Sequence, residues 1–205
     1  MPGPSLTTDA FVLLRRPPAD TFQTFTSFSA EHGILLVIQR ISRKSASTLA
    51  PLDLFDEASL VLESSNQGPA WFVKEARVLH RPVDIARNYD ALRLASTLAA
   101  LIARNPGPEE SRARIYAWLR QAFRSFASSS RPDIVYLKSL YLFSRDEGYP
   151  VKQEWFVTLP AADRASLAEL LNQPLASQTA APAVVARLQR RLEEYLRGHT
   201  EILLD

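Results

Sequence analysis

Cysteine is absent from the 205 residues, which removes disulfides, zinc ribbons, iron-sulfur clusters and thiol nucleophiles together. Glycine is scarce, six in all and none clustered, so neither a phosphate-cradling GxxxxGK[ST] nor a dinucleotide-binding GxGxxG can be written. The three histidines, His32, His80 and His199, lie far apart and form no HExxH pair, and each reads as a turn or surface residue rather than a metal ligand. GxSxG is missing too. No run approaches the roughly 18 uninterrupted apolar residues of a membrane span. The opening MPGPSLTTDAFVLL lacks the basic and apolar regions of a secretory leader, so a cytoplasmic protein is expected.

What remains is 46% hydrophobic and 22% charged, an ordinary globular balance. Net charge is only +2, but it is unevenly placed: residues 1–80 sum to −1, 81–131 to +5 and 132–205 to −2. Up to His80 the chain reads as five short strands: DAFVLLRR, TFQTFTSFSA, ILLVIQRI, DEASLVLESS and AWFVKEARVLH. Turn material separates them at Pro17-Pro18-Ala19-Asp20, His32-Gly33 and Asn66-Gln67-Gly68-Pro69. Phe22, Phe25 and Phe28 recur every three residues, but Thr21, Thr24 and Thr26 favour a bulged or strongly twisted strand. Five strands in so short a span fit a small closed barrel of the OB type.

From Pro82 the period turns helical. Ile85, Tyr89, Leu92, Ala95, Leu98 and Ile102 form one apolar face, ending at Asn105-Pro106-Gly107-Pro108. Ile115, Trp118, Leu119, Ala122, Phe123 and Phe126 form the next, and a third helix runs from Pro132-Asp133 to Gly148-Tyr149-Pro150. Two more are expected, Ala162 to Leu171 and Pro182 to Arg197, joined by a polar linker from Gln173 to Ala181. The expected class is α+β: an N-terminal five-stranded OB-fold barrel over residues 1–80, then an all-helical domain over 81–205.

Asp53, Asp56 and Glu57 are the candidate carboxylates for metal-dependent nuclease chemistry, but no second acidic cluster joins them. The expected reading is a solvated turn before a strand, with no catalytic residue, cofactor or metal. The basic residues carry more. Arg40, Arg43 and Lys44 leave the third strand on a loop without apolar anchors, a placement suited to a phosphate backbone, although charges also simply keep loops soluble. Arg15 and Arg16 and one of Lys74 or Arg77 extend that groove, since strict alternation sends Lys74 and Arg77 to opposite faces. Arg112, Arg114, Arg120 and Arg124 fall largely on the side of the second helix away from Trp118 and Phe126. They read either as the wet side of an amphipathic helix or as a face for an acidic partner. Trp71, Trp118 and Trp155 are expected in the core.

DAFVLLRR, the FSAEHG turn, QRISRKSAS, LAPLDLF, FVKEARVLH and YLKSLYLFSRDEGYP together resemble, in order and spacing, the bacterial recombination mediator family RecO. The resemblance implies an N-terminal OB-fold, a helical domain and no enzymatic activity. It implies binding of single- and double-stranded DNA, annealing of complementary strands, and action with RecR to place RecA on DNA coated by single-stranded DNA-binding protein. That coating protein's acidic, apolar C-terminal tail would dock on the helical domain. Arg15, Arg16, Arg40, Arg43, Lys44 and Lys74 would then contact DNA, and Arg112, Arg120, Arg124 and Lys138 the partner peptide. Lys138 stands where some relatives place an arginine, keeping the charge but not the bidentate grip on a carboxylate. Many relatives carry a four-cysteine zinc site, so this chain resembles the zinc-free members. The implied location is cytoplasmic, with the nucleoid.

Overall fold

The computed structural model describes residues 3–19, 21–41, 51–64 and 69–204. Five strands come first: β1 (Ser5–Arg15), β2 (Phe22–Ser29), β3 (Gly33–Arg40), β4 (Glu57–Ser64) and β5 (Ala70–His80). They pair in the order β1-β2-β3-β5-β4, and β4 pairs back to β1, so the sheet closes in a ring. Every neighbouring pair is antiparallel except β3 and β5, which run parallel from Leu36↔Ala70 to Ile38↔Phe72. The expected turn residues Asp20 and Asn66 to Gly68 lie outside the described residues.

Alternation explains what fills the ring. On β2 the buried Gln23, Phe25 and Ser27 point one way, and Phe22, Thr24 and Thr26 the other. A spacing of three therefore sends Phe25 into the ring and its two neighbours Phe22 and Phe28 to the outer face. Phe25 joins Ala10, Val12, Leu35, Val37, Leu60, Leu62 and Val73 in one buried cluster, with Trp71 packed against it. The irregularity expected in β2 lies in its partner: between Val12 and Leu14 the register of β1 slips against β2.

Two local devices set the hairpins. Gly33 has φ +67°, a left-handed conformation that disfavours a side chain, and the Arg112 Nε sits 3.1 Å from where its Cβ would be. Ser29 Oγ accepts the N–H groups of Glu31 and His32 in the same turn. On β5 the pairing steps from Leu62↔Val73 to Val61↔Glu75, which places one extra residue in β5. That bulge overturns the expected split of Lys74 and Arg77. Both are exposed, while Ala76 and Val78 pack against the buried cluster.

The helical part holds α1 (Tyr89–Arg104), α2 (Arg112–Ser128), α3 (Pro132–Asp146), α4 (Phe156–Thr158), α5 (Ala161–Asn172) and α6 (Pro182–His199). Ile85 is buried but belongs to a 3-10 turn, Val83–Arg87, rather than to α1. Asn88 caps α1, its Oδ1 accepting the Ala91 N–H at 3.1 Å. Tyr89, expected on the apolar face, is therefore at the first turn and 78% exposed. Gly148, φ +90°, closes α3 by donating to Arg145 O, and Tyr149 N–H reaches Ser144 O. A π-helical turn, Val151–Trp155, leads into α4; the segment is too short between Pro150 and Pro160 to show a period.

By internal packing the chain divides into Met1–Pro82 with Ile102–Arg120, and Val83–Leu101 with Gln121–Asp205. In the second unit α3 packs on α5 and α6, burying Leu137, Leu140, Leu167, Leu188 and Leu192. Trp155 is buried there, as expected, whereas Trp118 is half-buried. Among the described residues, no helix is long and apolar enough to cross a membrane.

Candidate nucleic-acid and peptide interfaces

The cations of the sheet fall into two states. Arg15 donates to Gln23 Oε1 at 3.1 Å and to Asp53 Oδ1 at 3.2 Å. Lys74 is paired with Glu63, and that hydrogen bond holds the Glu63 carboxyl below its usual range. Arg16 and Arg40 are exposed, and neither has an ion-pair partner among the described residues. Arg43 and Lys44 lie outside the described residues.

Asp53, Asp56 and Glu57 do not converge. Each is taken by a different arginine, and the expected solvated turn before a strand holds only for Asp53, which is exposed, whereas Asp56 and Glu57 are buried. Asp56 is fully buried, accepting Arg81 Nε at 2.7 Å and the Asp53 N–H at 2.8 Å. Glu57 is 4% exposed and accepts from both Nε and Nη2 of Arg120 and from the Tyr116 hydroxyl. Hydrogen bonding to Glu57 raises the Arg120 guanidinium above its ordinary value, and burial first, then the Glu57 charge, pushes the Tyr116 hydroxyl up. Arg120 also lies 5.2 Å from the Tyr116 ring centroid, and Tyr116 packs on Phe11 at 4.7 Å. Phe55, φ 67°, supplies the left-handed residue of this turn, and its N–H and the Asp56 carbonyl both bond to Val12 at 2.9 Å.

The four residues expected at a peptide site are thus unlike. Arg120 serves the internal carboxylate Glu57. Arg112 lies against the β2–β3 turn, its Nη1 3.4 Å from Glu31 O. Arg124 is exposed, without an ion-pair partner among the described residues. Lys138 belongs to a built pocket: its Nζ donates to Gln173 O at 2.8 Å, and burial lowers its pKa from the ordinary lysine value.

That pocket has a volume of about 400 Å³ and lies wholly within the second unit. Tyr141, Leu142, Phe156 and Leu171 give it apolar walls, and Arg145 and Lys152 add two further cations to Lys138. Arg145 is half-exposed and paired with Asp146, whereas Lys152 is exposed. Arg145 and Lys152 are absent from the sequence-based candidates, although a signal exists: Lys138, Tyr141, Leu142 and Arg145 fall at i, i+3, i+4 and i+7 of one helix. Phe22 and Phe72 were missed on the sheet. They are 39% and 36% exposed, with ring centroids 6.1 Å apart. Against known proteins, the chain matches no family model and no curated protein.

Proposed function

We propose that this protein is a non-enzymatic DNA-repair and recombination mediator of the RecO kind, and that its closed sheet is an OB-fold. The observation that carries the reading is the ring order β1-β2-β3-β5-β4 with its parallel β3–β5 pair, the Greek-key path of a five-stranded OB-type barrel. Arg40 and Arg16, exposed on this unit, are cations available to phosphates, and Arg43 and Lys44 follow Arg40 in sequence. Neutralising two backbones lowers their mutual repulsion, so annealing of complementary strands needs no catalytic side chain; base pairing drives it. In this role the protein binds single- and double-stranded DNA and, with RecR, helps to load RecA onto DNA coated by single-stranded DNA-binding protein.

The Lys138 pocket supports the second half of the role. An acidic, apolar peptide tail, such as the C-terminus of single-stranded DNA-binding protein, matches apolar walls edged by three cations. The same pocket also favours a second reading, an adaptor that binds such tails and has little affinity for DNA.

Anisotropy of a labelled single-stranded oligonucleotide separates the two. If about four phosphates are contacted, log affinity falls against log salt with a slope near −3. An Arg40/Arg43/Lys44 triple alanine variant flattens it. Absence of salt-dependent binding, with tight binding of an acidic tail peptide, selects the adaptor.

A further inference from the structure

We propose that Phe22 and Phe72 form a stacking platform for unpaired bases on the outer face of the ring, with Arg40 beside it for the phosphate, giving the protein a preference for single strands over duplex. The inference rests on the DNA-binding reading above and adds to it the residues and the strand preference.

The outer face is defined by alternation. Gln23, Phe25, Val37, Gln39 and Val73 are buried on the inner side, so Phe22, Thr24, Ile38, Arg40 and Phe72 share the outer one. Phe22 is the direct cross-strand partner of Arg40, and Phe72 that of Ile38. The two phenylalanines sit on β2 and β5, with β3 between them, a separation of about 10 Å from strand spacing alone. Their ring centroids are nonetheless 6.1 Å apart at 62°, so the rings lean toward each other over β3 in an edge-to-face pair. More than a third of each remains in water.

The two touching rings, with Ile38 on the strand between them, make a small exposed apolar patch beside Thr24 and the Glu63–Lys74 pair. Arg40 decides what they suit. It is exposed, without an ion-pair partner among the described residues, and about 5 Å across the ladder from Phe22. A π-face next to an uncommitted cation is the pairing that a single strand uses, base on ring and phosphate on guanidinium. A duplex keeps its base faces inside the stack and offers this surface only phosphates, which Arg40 meets equally well in either form.

The test compares the full chain with Phe22→Leu, Phe72→Leu, Phe72→Trp and Arg40→Ala, using a labelled oligothymidine and a labelled loop-free, blunt-ended duplex at several salt concentrations. Leucine keeps the apolar bulk and removes the π-face. Each leucine variant should lose about fivefold or more in affinity for the single strand, with duplex affinity and salt slope unchanged. Arg40→Ala should weaken both forms and lower the single-strand salt slope by about 0.7. Phe72→Trp should keep wild-type affinity and add an emission that the oligonucleotide quenches. In the leucine variants, equal losses on single strand and duplex, or no loss on either, overturn the platform while leaving DNA binding standing, as does a new tryptophan that bases do not quench. If the wild type binds neither oligonucleotide, the DNA reading itself fails and the platform with it.

Discussion

Arg81 and Arg120 show how a single residue's role depends on what it reaches. Asp56 and Glu57 are adjacent, both are buried, and each accepts two or more bonds from an arginine distant in sequence. A carboxylate taken from water keeps its charge only if such partners are supplied, so removing one partner leaves an uncompensated buried ion. Arg120→Ala should therefore destabilise the protein by about 3 kcal/mol, the low end of the range for such a break because the guanidinium still meets solvent. Urea denaturation reads this, and adding Glu57→Gln should recover part of the loss. Lys138 makes a pH prediction. Burial disfavours its charged form, so its folded pKa lies below the ordinary lysine value. Below that folded pKa the ammonium is present, at a cost in stability that vanishes as pH rises through it toward the unfolded value. Affinity for an acidic tail peptide should be steady near neutral pH and decline as pH rises through the lowered Lys138 pKa, earlier than an ordinary lysine requires. Lys138→Gln should remove that early decline.

Elements are decided by short-range rules with occasional long-range exceptions. Gly33 carries the left-handed turn between β2 and β3, and a Cβ there would press on Arg112 at 3.1 Å. Gly33→Ala should cost about 1–2 kcal/mol, measured by the urea midpoint at unchanged m-value. Phe25, at the centre of the ring with no exposed surface, should cost about 3–5 kcal/mol as alanine. Gly33 was legible, as a glycine between alternating runs; Phe25 was not, because Phe22 and Phe28 recur at the same spacing and nothing local sets it apart from them. Strand existence and the switch from period 2 to period 3.6 were legible as well. The β5 bulge was not, because its signal is a slip between two strands, and neither strand alone contains it. Lys74 and Arg77 consequently share a side that simple alternation denies them. The Asn88 cap likewise moved Ile85 and Tyr89 off the expected helix face, since one side-chain oxygen starts α1 later than its apolar pattern suggests.

For the whole molecule, the +2 net charge says little, and the arginine-rich stretch 81–131 says less than it promised. Arg81, Arg120 and Arg131 from that stretch are committed to Asp56, Glu57 and Asp133 inside the fold. The cations left uncommitted among the described residues include Arg16, Arg40 and Arg124. If the DNA reading holds, few phosphates are met, and the salt slope should lie near −3 rather than near the −10 of strongly basic binders. A fluorescence titration between low and moderate salt measures it, and a flat response counts against any backbone-tracking role.

The amino-acid pattern alone determined the order of strands and helices along the chain and the glycines that end α3 and turn β2 into β3. Those features depend on torsions and on periods of two or about four residues, which any stretch of chain carries within itself. Tertiary structure alone decided which charges are neutralised and which aromatics stay wet. A guanidinium 63 residues from its carboxylate, or two rings meeting across an intervening strand, come together only when the sheet has closed.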